Sequence, residues 1–276
     1  MKKKSDKERI LILGASGFIG NALYKELCGY FRTFGTYNTT SKSFENNRHF
    51  FQYSMEKDDV FDILQKVKPT IIISALRGDF ASQVVVHQHI SEYLLRFDSK
   101  LIFLSSANVF DAYSKYPSYE FDKTLSHSVY GHFKIKIENM LLRLPKKHMV
   151  IVRLPMVFGV SSPRVNELKL FLKEQLPIEI FPNLVMNVTS DYQLVKQIHY
   201  MINRRKRGIF HLGSTDLVHH DEFISDMITS LGQYKPKFKH VYTTNDARYL
   251  AVLPKENTLP KHLQIKSSAV LKELTV

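Results

Sequence analysis

The sequence predicts an α/β fold built on a doubly wound parallel sheet, with a smaller C-terminal part. Three observations predict it. Apolar runs of strand length alternate with helical patterns over the first 160 residues. Three glycines spaced three apart, Gly14, Gly17 and Gly20, separate the first strand from the first helix. After Gly159 the pattern changes, and Pro163, Pro177 and Pro182 break the chain into shorter pieces.

The elements follow in order. Residues 9–13 read as a strand and 18–30 as an amphipathic helix. Residues 34–37 form a short strand, and 58–67 a helix ended by Pro69. Residues 70–74 are almost purely β-branched and read as a strand. A helix over 83–97, a strand over 101–105, a helix over 129–144 ended by Pro145 and a strand over 149–153 complete the pattern. Strands apolar on both faces and separated by helices imply a parallel sheet covered on both sides. A further unit follows, a helix near 192–203 and a strand over 208–212. The chain from Tyr234 on has weak periodicity. The expected division is a dinucleotide-binding domain over 1–160 with a return segment near 186–213, interleaved with a substrate-binding part over 161–276.

Composition narrows the classes. The chain has 276 residues, 44% hydrophobic and 24% charged, which is the globular range. No window reaches the roughly 18 unbroken apolar residues of a membrane span. The N-terminal apolar run, residues 10–13, is too short for a signal peptide and reads as a buried strand. The expected compartment is the cytoplasm. Cys28 is the single cysteine, so neither an intrachain disulfide nor a cysteine zinc site is available. It falls in the helical stripe with Leu23 and Leu27 and reads as core filler. The net charge of +13 favours anionic partners such as nucleotides. Lys2 to Lys4 read as a solvated tail, and Arg204 to Arg207 as cations at a helix C-terminus. No nucleic-acid motif accompanies them, so nucleic acid is not an expected partner. None of the twelve histidines has catalytic zinc spacing. His87, His89, His219 and His220 are taken as structural or exposed, and no metal is expected.

The glycine turn carries the first functional reading. In Gly14-Ala15-Ser16-Gly17-Phe18-Ile19-Gly20, Gly14 makes the tight turn, Gly17 lets backbone approach a pyrophosphate, and Gly20 packs helix against sheet. The helix start offers free N–H groups and a positive dipole end to phosphate. This is a Rossmann-type dinucleotide site. The second strand is followed by Asn38, Thr39, Ser41 and Lys42 and by no acid. A carboxylate there would repel a 2′-phosphate. The neutral donors and Lys42 suit one, so NADP(H) is preferred and NAD(H) is the alternative.

The second reading is chemical. Ser105 and Ser106 end a strand, where ligands of open α/β sheets bind. Tyr130 and Lys134 lie four apart at the start of a helix and share a face. Reducing a ketone with hydride needs a proton at the carbonyl oxygen. A phenol, reference pKa about 10, can give it if an ammonium stabilises the phenolate. A serine hydroxyl beside the phenol can orient the carbonyl, and the lysine can also hold the nicotinamide ribose.

With these motifs the sequence resembles the extended short-chain dehydrogenase/reductases, over most of its length. Within them it looks like the dTDP-4-dehydrorhamnose reductases. The resemblance rests on Leu104-Ser105-Ser106-Ala107-Asn108-Val109-Phe110-Asp111, on Tyr119-Glu120-Phe121-Asp122, and on Arg153-Leu154-Pro155-Met156-Val157-Phe158-Gly159. Asn187-Val188-Thr189 and Gly208-Ile209-Phe210-His211-Leu212 also fit. It implies an NADP(H)-dependent reductase of a nucleotide-linked 4-keto sugar. Tyr130 takes the acid's place, Lys134 that of the ribose-binding base, and Ser106 that of the orienting hydroxyl. Ser106, Ala107, Asn108 and Asn187 fall on the substrate side, although Asn187 also reads as a structural turn residue. Ala107 and Asn108 replace the family's Asp and Tyr, and the segment Ser74 to Asp79 departs from the usual Asn-x-Ala-Ala, leaving the sugar open. The resemblance also implies that Ala75, Leu76, Arg77 and Pro155 lie beside the cofactor, and Arg77 reads either as a phosphate ligand or as a loop cation. An epimerase or dehydratase of the same superfamily is the alternative, disfavoured by the absence of acids at 107–108 and after the second strand. A non-catalytic NADP-binding regulatory subunit is a further alternative. The resemblance leaves room for a homodimer.

Overall fold

The computed structural model describes residues 8–39, 42–232, 234–243 and 245–274, with Lys42 and Ser43 described as backbone alone. In chain order the first elements are β1 (Arg9–Leu13), α1 (Phe18–Leu27), β2 (Arg32–Tyr37), α2 (Lys42–Glu45), β3 (Phe50–Gln52), α3 (Val60–Val67), β4 (Ile71–Ser74), α4 (Phe80–Arg96), β5 (Lys100–Ser106) and α5 (Val129–Leu141). There follow β6 (Met149–Leu154), β7 (Met156–Phe158), α6 (Pro163–Lys173), β8 (Pro177–Ile180), β9 (Leu184–Met186), β10 (Val188–Ser190) and α7 (Asp191–Asn203). The last are β11 (Gly208–His211), β12 (Val218–His219), α8 (His220–Leu231), β13 (Lys237–His240), β14 (Arg248–Leu250) and α9 (Ser267–Glu273).

The main sheet is parallel and seven-stranded, in the order β11-β6-β5-β4-β1-β2-β3. From β1 the chain winds outward to β3, then returns and winds the other way through β4, β5 and β6. The switch point between β1 and β4 is where such sheets bind ligands. No helix among the described residues is long and apolar enough to cross a membrane.

The chain divides into two compact units. The first comprises the residues through Ser105, Phe133–Val152 and Ile198–Ile209. Its core joins Leu11, Leu13, Ile72, Leu101 and Phe103 of the strands to Leu64, Ile90, Ile137 and Leu141 of the helices. Local signals set the helix bounds here. Asp59 caps α3 by accepting the Phe61 N–H at 2.9 Å, and Lys68, at φ 48°, ends it before Pro69. Asp79 caps α4 by accepting the Ser82 N–H at 2.6 Å, so this helix starts three residues earlier than its apolar pattern.

One expectation is corrected. Helix α1 stops at Leu27, three residues before the predicted end, and Cys28 is its C-cap. Cys28 is therefore exposed rather than core filler. Its thiol turns back to the Lys25 carbonyl.

The second unit comprises Ser106–His132, Arg153–Gln197 and the described residues from Phe210 on. Its strands are short. β7 pairs with β10 and β8 with β13, both in parallel. β9 takes β12 antiparallel and β14 parallel. Its own core gathers Phe158, Leu168, Ile178, Met186, Phe223 and Val270.

Candidate active site

The glycine turn lies in the first unit, at the switch point. Gly14 has φ +80°, and a Cβ there would fall 2.7 Å from the Ala75 carbonyl oxygen. A Cβ on Gly20 would fall 2.1 Å from the Gly14 carbonyl oxygen. Both glycines are required by the fold, and the first brings Ala75 to the turn. Gly17 differs. Its Cβ would meet nothing nearer than 3.4 Å, so packing does not exclude a side chain there. Gly17 is the N-cap of α1 and supplies no side-chain cap, leaving the first N–H groups of the helix open to an anion. The turn is tied to β2 by the Gly14 N–H, which donates to the Thr36 hydroxyl at 2.9 Å. Ser16 is exposed, and Phe18 and Ile19 are half-buried. A pyrophosphate fits this cradle.

Asn38 and Thr39 are exposed after β2. Ser41 lies outside the described residues, as does the side chain of Lys42. Asn38 lines a cavity of about 710 Å³ with Gln52, Tyr53, Ser54, Lys57, Ile63 and the carboxylates Asp58, Asp59 and Asp62. The Tyr53 hydroxyl is buried without a hydrogen-bond partner. Leu76 is half-buried, and Arg77 is exposed in the loop before α4.

The end of β5 and the helix α5 hold Ser106, Tyr130 and Lys134. In the second unit, Ser106 caps a 3-10 turn over Ala107–Phe110. Its hydroxyl donates to the Asn108 Oδ1 at 2.9 Å and accepts the Asn108 N–H at 3.2 Å. Ala107 is buried. The Ser128 hydroxyl caps α5, accepting the Gly131 N–H at 3.0 Å, and donates to Asp111, which also accepts the His127 N–H at 2.6 Å. These bonds hold the Asp111 carboxyl below its usual range despite its burial, which acts the other way. Thus Asp111 fixes the turn that presents Tyr130. A Cβ on Gly131 would fall 2.3 Å from the Asn108 carbonyl oxygen, so glycine lets the start of α5 close on the Ser106 turn. The start of the helix that carries Tyr130 thus lies against the Ser106–Asn108 turn, and Tyr130 is 38% exposed.

One turn along α5, in the first unit, Lys134 is buried. Its ammonium donates to the Leu104 carbonyl oxygen at 3.0 Å and lies 4.7 Å from the centre of the Phe103 ring. Burial pushes its pKa down to about 8, with Glu138 opposing. Lys134 therefore remains largely a cation at neutral pH. His87 of α4 is wholly buried, and burial pushes it down to about 4. Neutral His87 donates from Nδ1 to the Gln83 carbonyl at 2.6 Å, so Nε2 accepts from the Ser74 hydroxyl at 2.9 Å.

Other predicted residues serve the second unit. Asn187 is fully buried. Its Nδ2 donates to the carbonyls of Ser214 and Val252, at 3.2 and 2.8 Å, and its Oδ1 accepts the Val252 N–H at 3.1 Å. Both amide protons are engaged, so Asn187 holds a turn, one of the two roles its sequence context allowed. Pro155 is buried, and a Cβ on Gly213 would strike both it and Asn187. Arg153 is buried, with its guanidinium 4.7 Å from the Phe110 ring centre. It donates to the Glu120 carbonyl at 2.9 Å and to His211 Nε2 at 3.3 Å. The Glu120 carboxylate accepts the N–H groups of Lys255, Glu256 and Asn257.

Residue-type reading did not single out Asp111, Glu120 or Glu138. Glu138 had a signal, its four-residue spacing from Lys134. Glu120 stood only within the segment 119–122 of the resemblance, and its backbone partners, some 135 positions away in sequence, gave no local signal.

These features define an α/β protein with a glycine turn suited to a dinucleotide and with a tyrosine and a buried lysine on one helix. The chain belongs to the family of the RmlD substrate binding domain, whose model matches residues 8–269. A dTDP-4-dehydrorhamnose reductase of Aggregatibacter actinomycetemcomitans is 29% identical over 163 residues, 55% of this chain and 52% of that protein. The match thus spans about half the length of this curated relative. Among solved structures, the dTDP-4-dehydrorhamnose reductase of Bacillus anthracis in complex with NADP is similar, at a TM-score of 0.74 and 21% identity, covering 97% of this chain and 98% of that one. The dTDP-glucose 4,6-dehydratase of the same organism, in complex with NAD, gives 0.78 at 14% identity, covering 97% and 95%. At these identities the likeness is one of fold.

Proposed function

We propose that the protein is an NADP(H)-dependent reductase of a nucleotide-linked 4-keto sugar. The observation that carries this reading is the buried Lys134 one helical turn from the exposed Tyr130. The family and its curated relative support a sugar-nucleotide substrate. In this reading the first unit holds the dinucleotide and the second the sugar nucleotide. Gly14, Gly17 and Gly20 bring backbone to the pyrophosphate, with Ser16, Phe18 and Ile19 at the helix start. Ala75, Leu76, Arg77 and Pro155 flank the cofactor, and Asn38, Thr39, Ser41 and Lys42 take the adenosine end. The acid-free loop favours NADP(H) over NAD(H).

The bound cofactor supplies a hydride. Tyr130 gives its phenolic proton to the carbonyl oxygen as that oxygen gains charge. The Lys134 ammonium stabilises the phenolate left behind. Ser106, released from Asn108 Oδ1, donates to the same carbonyl oxygen, and Ala107 and Asn108 line the substrate side. General acid catalysis of this kind contributes ~10²–10⁴-fold.

Two titrations and a screen test the proposal. NADPH binds more tightly than NADH, read from protein tyrosine fluorescence, whereas tenfold tighter NADH binding overturns the cofactor preference. A set of dTDP-, UDP-, GDP- and CDP-linked keto sugars includes one that consumes NADPH absorbance. Failure of all of them argues for a regulatory, non-catalytic protein.

A further inference from the structure

Tyr130, Lys134 and Glu138 follow one another at four-residue intervals on α5, a spacing that stacks side chains on one helix face. Glu138 is 1% exposed. Its Oε1 accepts the Ser105 hydroxyl at 2.5 Å. Ser105 and Leu104 are adjacent on β5, so one strand end receives both bonds: Lys134 to the Leu104 carbonyl, and Ser105 to Glu138. A carboxyl group is costly to bury unless its charge is opposed and bonded. Lys134 is the buried cation one turn away.

We propose that Glu138, anchored by Ser105, is a positioning residue that keeps Lys134 charged and thereby sets the acidity of Tyr130. The proposal rests on the reductase reading for its effect on turnover, but its effect on Lys134 stands independently of substrate. Among the described residues, the ionisable groups that act on Lys134 include Glu138 on its own helix, and His87 lies near it from α4. The end of β5 offers only a carbonyl and a hydroxyl. His87 is held neutral by burial, and Glu138 is a negative charge that opposes desolvation of the ammonium. Removing that charge leaves desolvation unopposed, so Lys134 loses its proton at lower pH.

The test uses the full chain carrying Glu138→Gln, whose amide oxygen still accepts the Ser105 hydroxyl. Side-chain NMR of Lys134 then shows a titration midpoint lower by about one unit or more, a tenfold change in acidity. The alkaline limb of the reduction rate moves to lower pH by a similar amount. Glu138→Asp, which keeps the charge but withdraws it by one methylene, moves the midpoint less, in the same direction. An unmoved Lys134 midpoint in Glu138→Gln overturns the proposal, even if turnover falls. Should Glu138→Gln fail to fold, an unmoved midpoint in Glu138→Asp overturns it. A shifted midpoint without any reductase activity upholds the charge relation and refutes the reductase reading instead.

Discussion

In the first unit, Ile10, Leu11, Ile12 and Leu13 of β1 have no exposed surface, and Ile71, Ile72 and Ile73 of the neighbouring β4 are buried. In the second unit the strands are two to four residues long, and buried polar side chains tie them together. Arg153 bridges Glu120 and His211, Asn187 bridges Ser214 and Val252, and Gln193 and Gln197 both donate to the Leu263 carbonyl. A continuous apolar ladder distributes stability over many small contacts. A polar bracket concentrates it, because removing one partner leaves the others buried and unsatisfied. The second unit is therefore expected to be the more sensitive to single substitutions and to acid.

Arg153→Ala gives the largest effect. It opens a cavity against Phe110 and orphans the Glu120 carbonyl and His211, a loss of about 4 kcal/mol in urea unfolding. Asn187→Ala follows, at about 3 kcal/mol, with faster amide exchange at Val252 because three bonds to the side chain are lost. Glu120→Gln costs about 2 kcal/mol by weakening charge-assisted acceptance of the N–H groups of residues 255–257. Ile12→Val in the first unit costs about 1 kcal/mol. A larger loss at Ile12 than at Asn187 would break the comparison.

Acid sharpens it. His87 in the first unit, and His211 and His220 in the second, are each lowered from 6.5 to about 4 by burial. The folded chain thus binds fewer protons than the unfolded chain between about 6.5 and about 4. Their contribution is complete above about 6.5 and is lost as pH falls through about 4. Glu120 is likewise held below 4.5 by its backbone bonds, so its share persists above that value and is lost at lower pH. Melting temperature is expected to fall steadily over this window. Amide exchange near His211 and His220 should accelerate before exchange around β1.

The same contrast explains what was legible in the sequence. Two-sided burial writes β1, β4, β5 and β6 as unbroken apolar runs, and their positions emerged within a residue or two. Strands β7 to β10 and β12 to β14 are too short to show a period, and their pairing depends on distant polar partners. The glycine turn and the Tyr130–Lys134 pair were legible because helical spacing and backbone freedom act locally. Asn187 read equally as a substrate residue and as a turn residue, since a short amide side chain suits both. Cys28 was misplaced because the stripe of α1 continues past the residue where its hydrogen bonds stop.

The central claim is that Tyr130 supplies the proton to a keto sugar reduced by NADPH. The most direct measurement compares turnover of the accepted sugar nucleotide by the wild type and by Tyr130→Phe, with NADPH affinity measured on both. Turnover is expected to fall by about 10²–10⁴-fold with affinity nearly unchanged. Turnover in Tyr130→Phe within about threefold of the wild type would contradict the account.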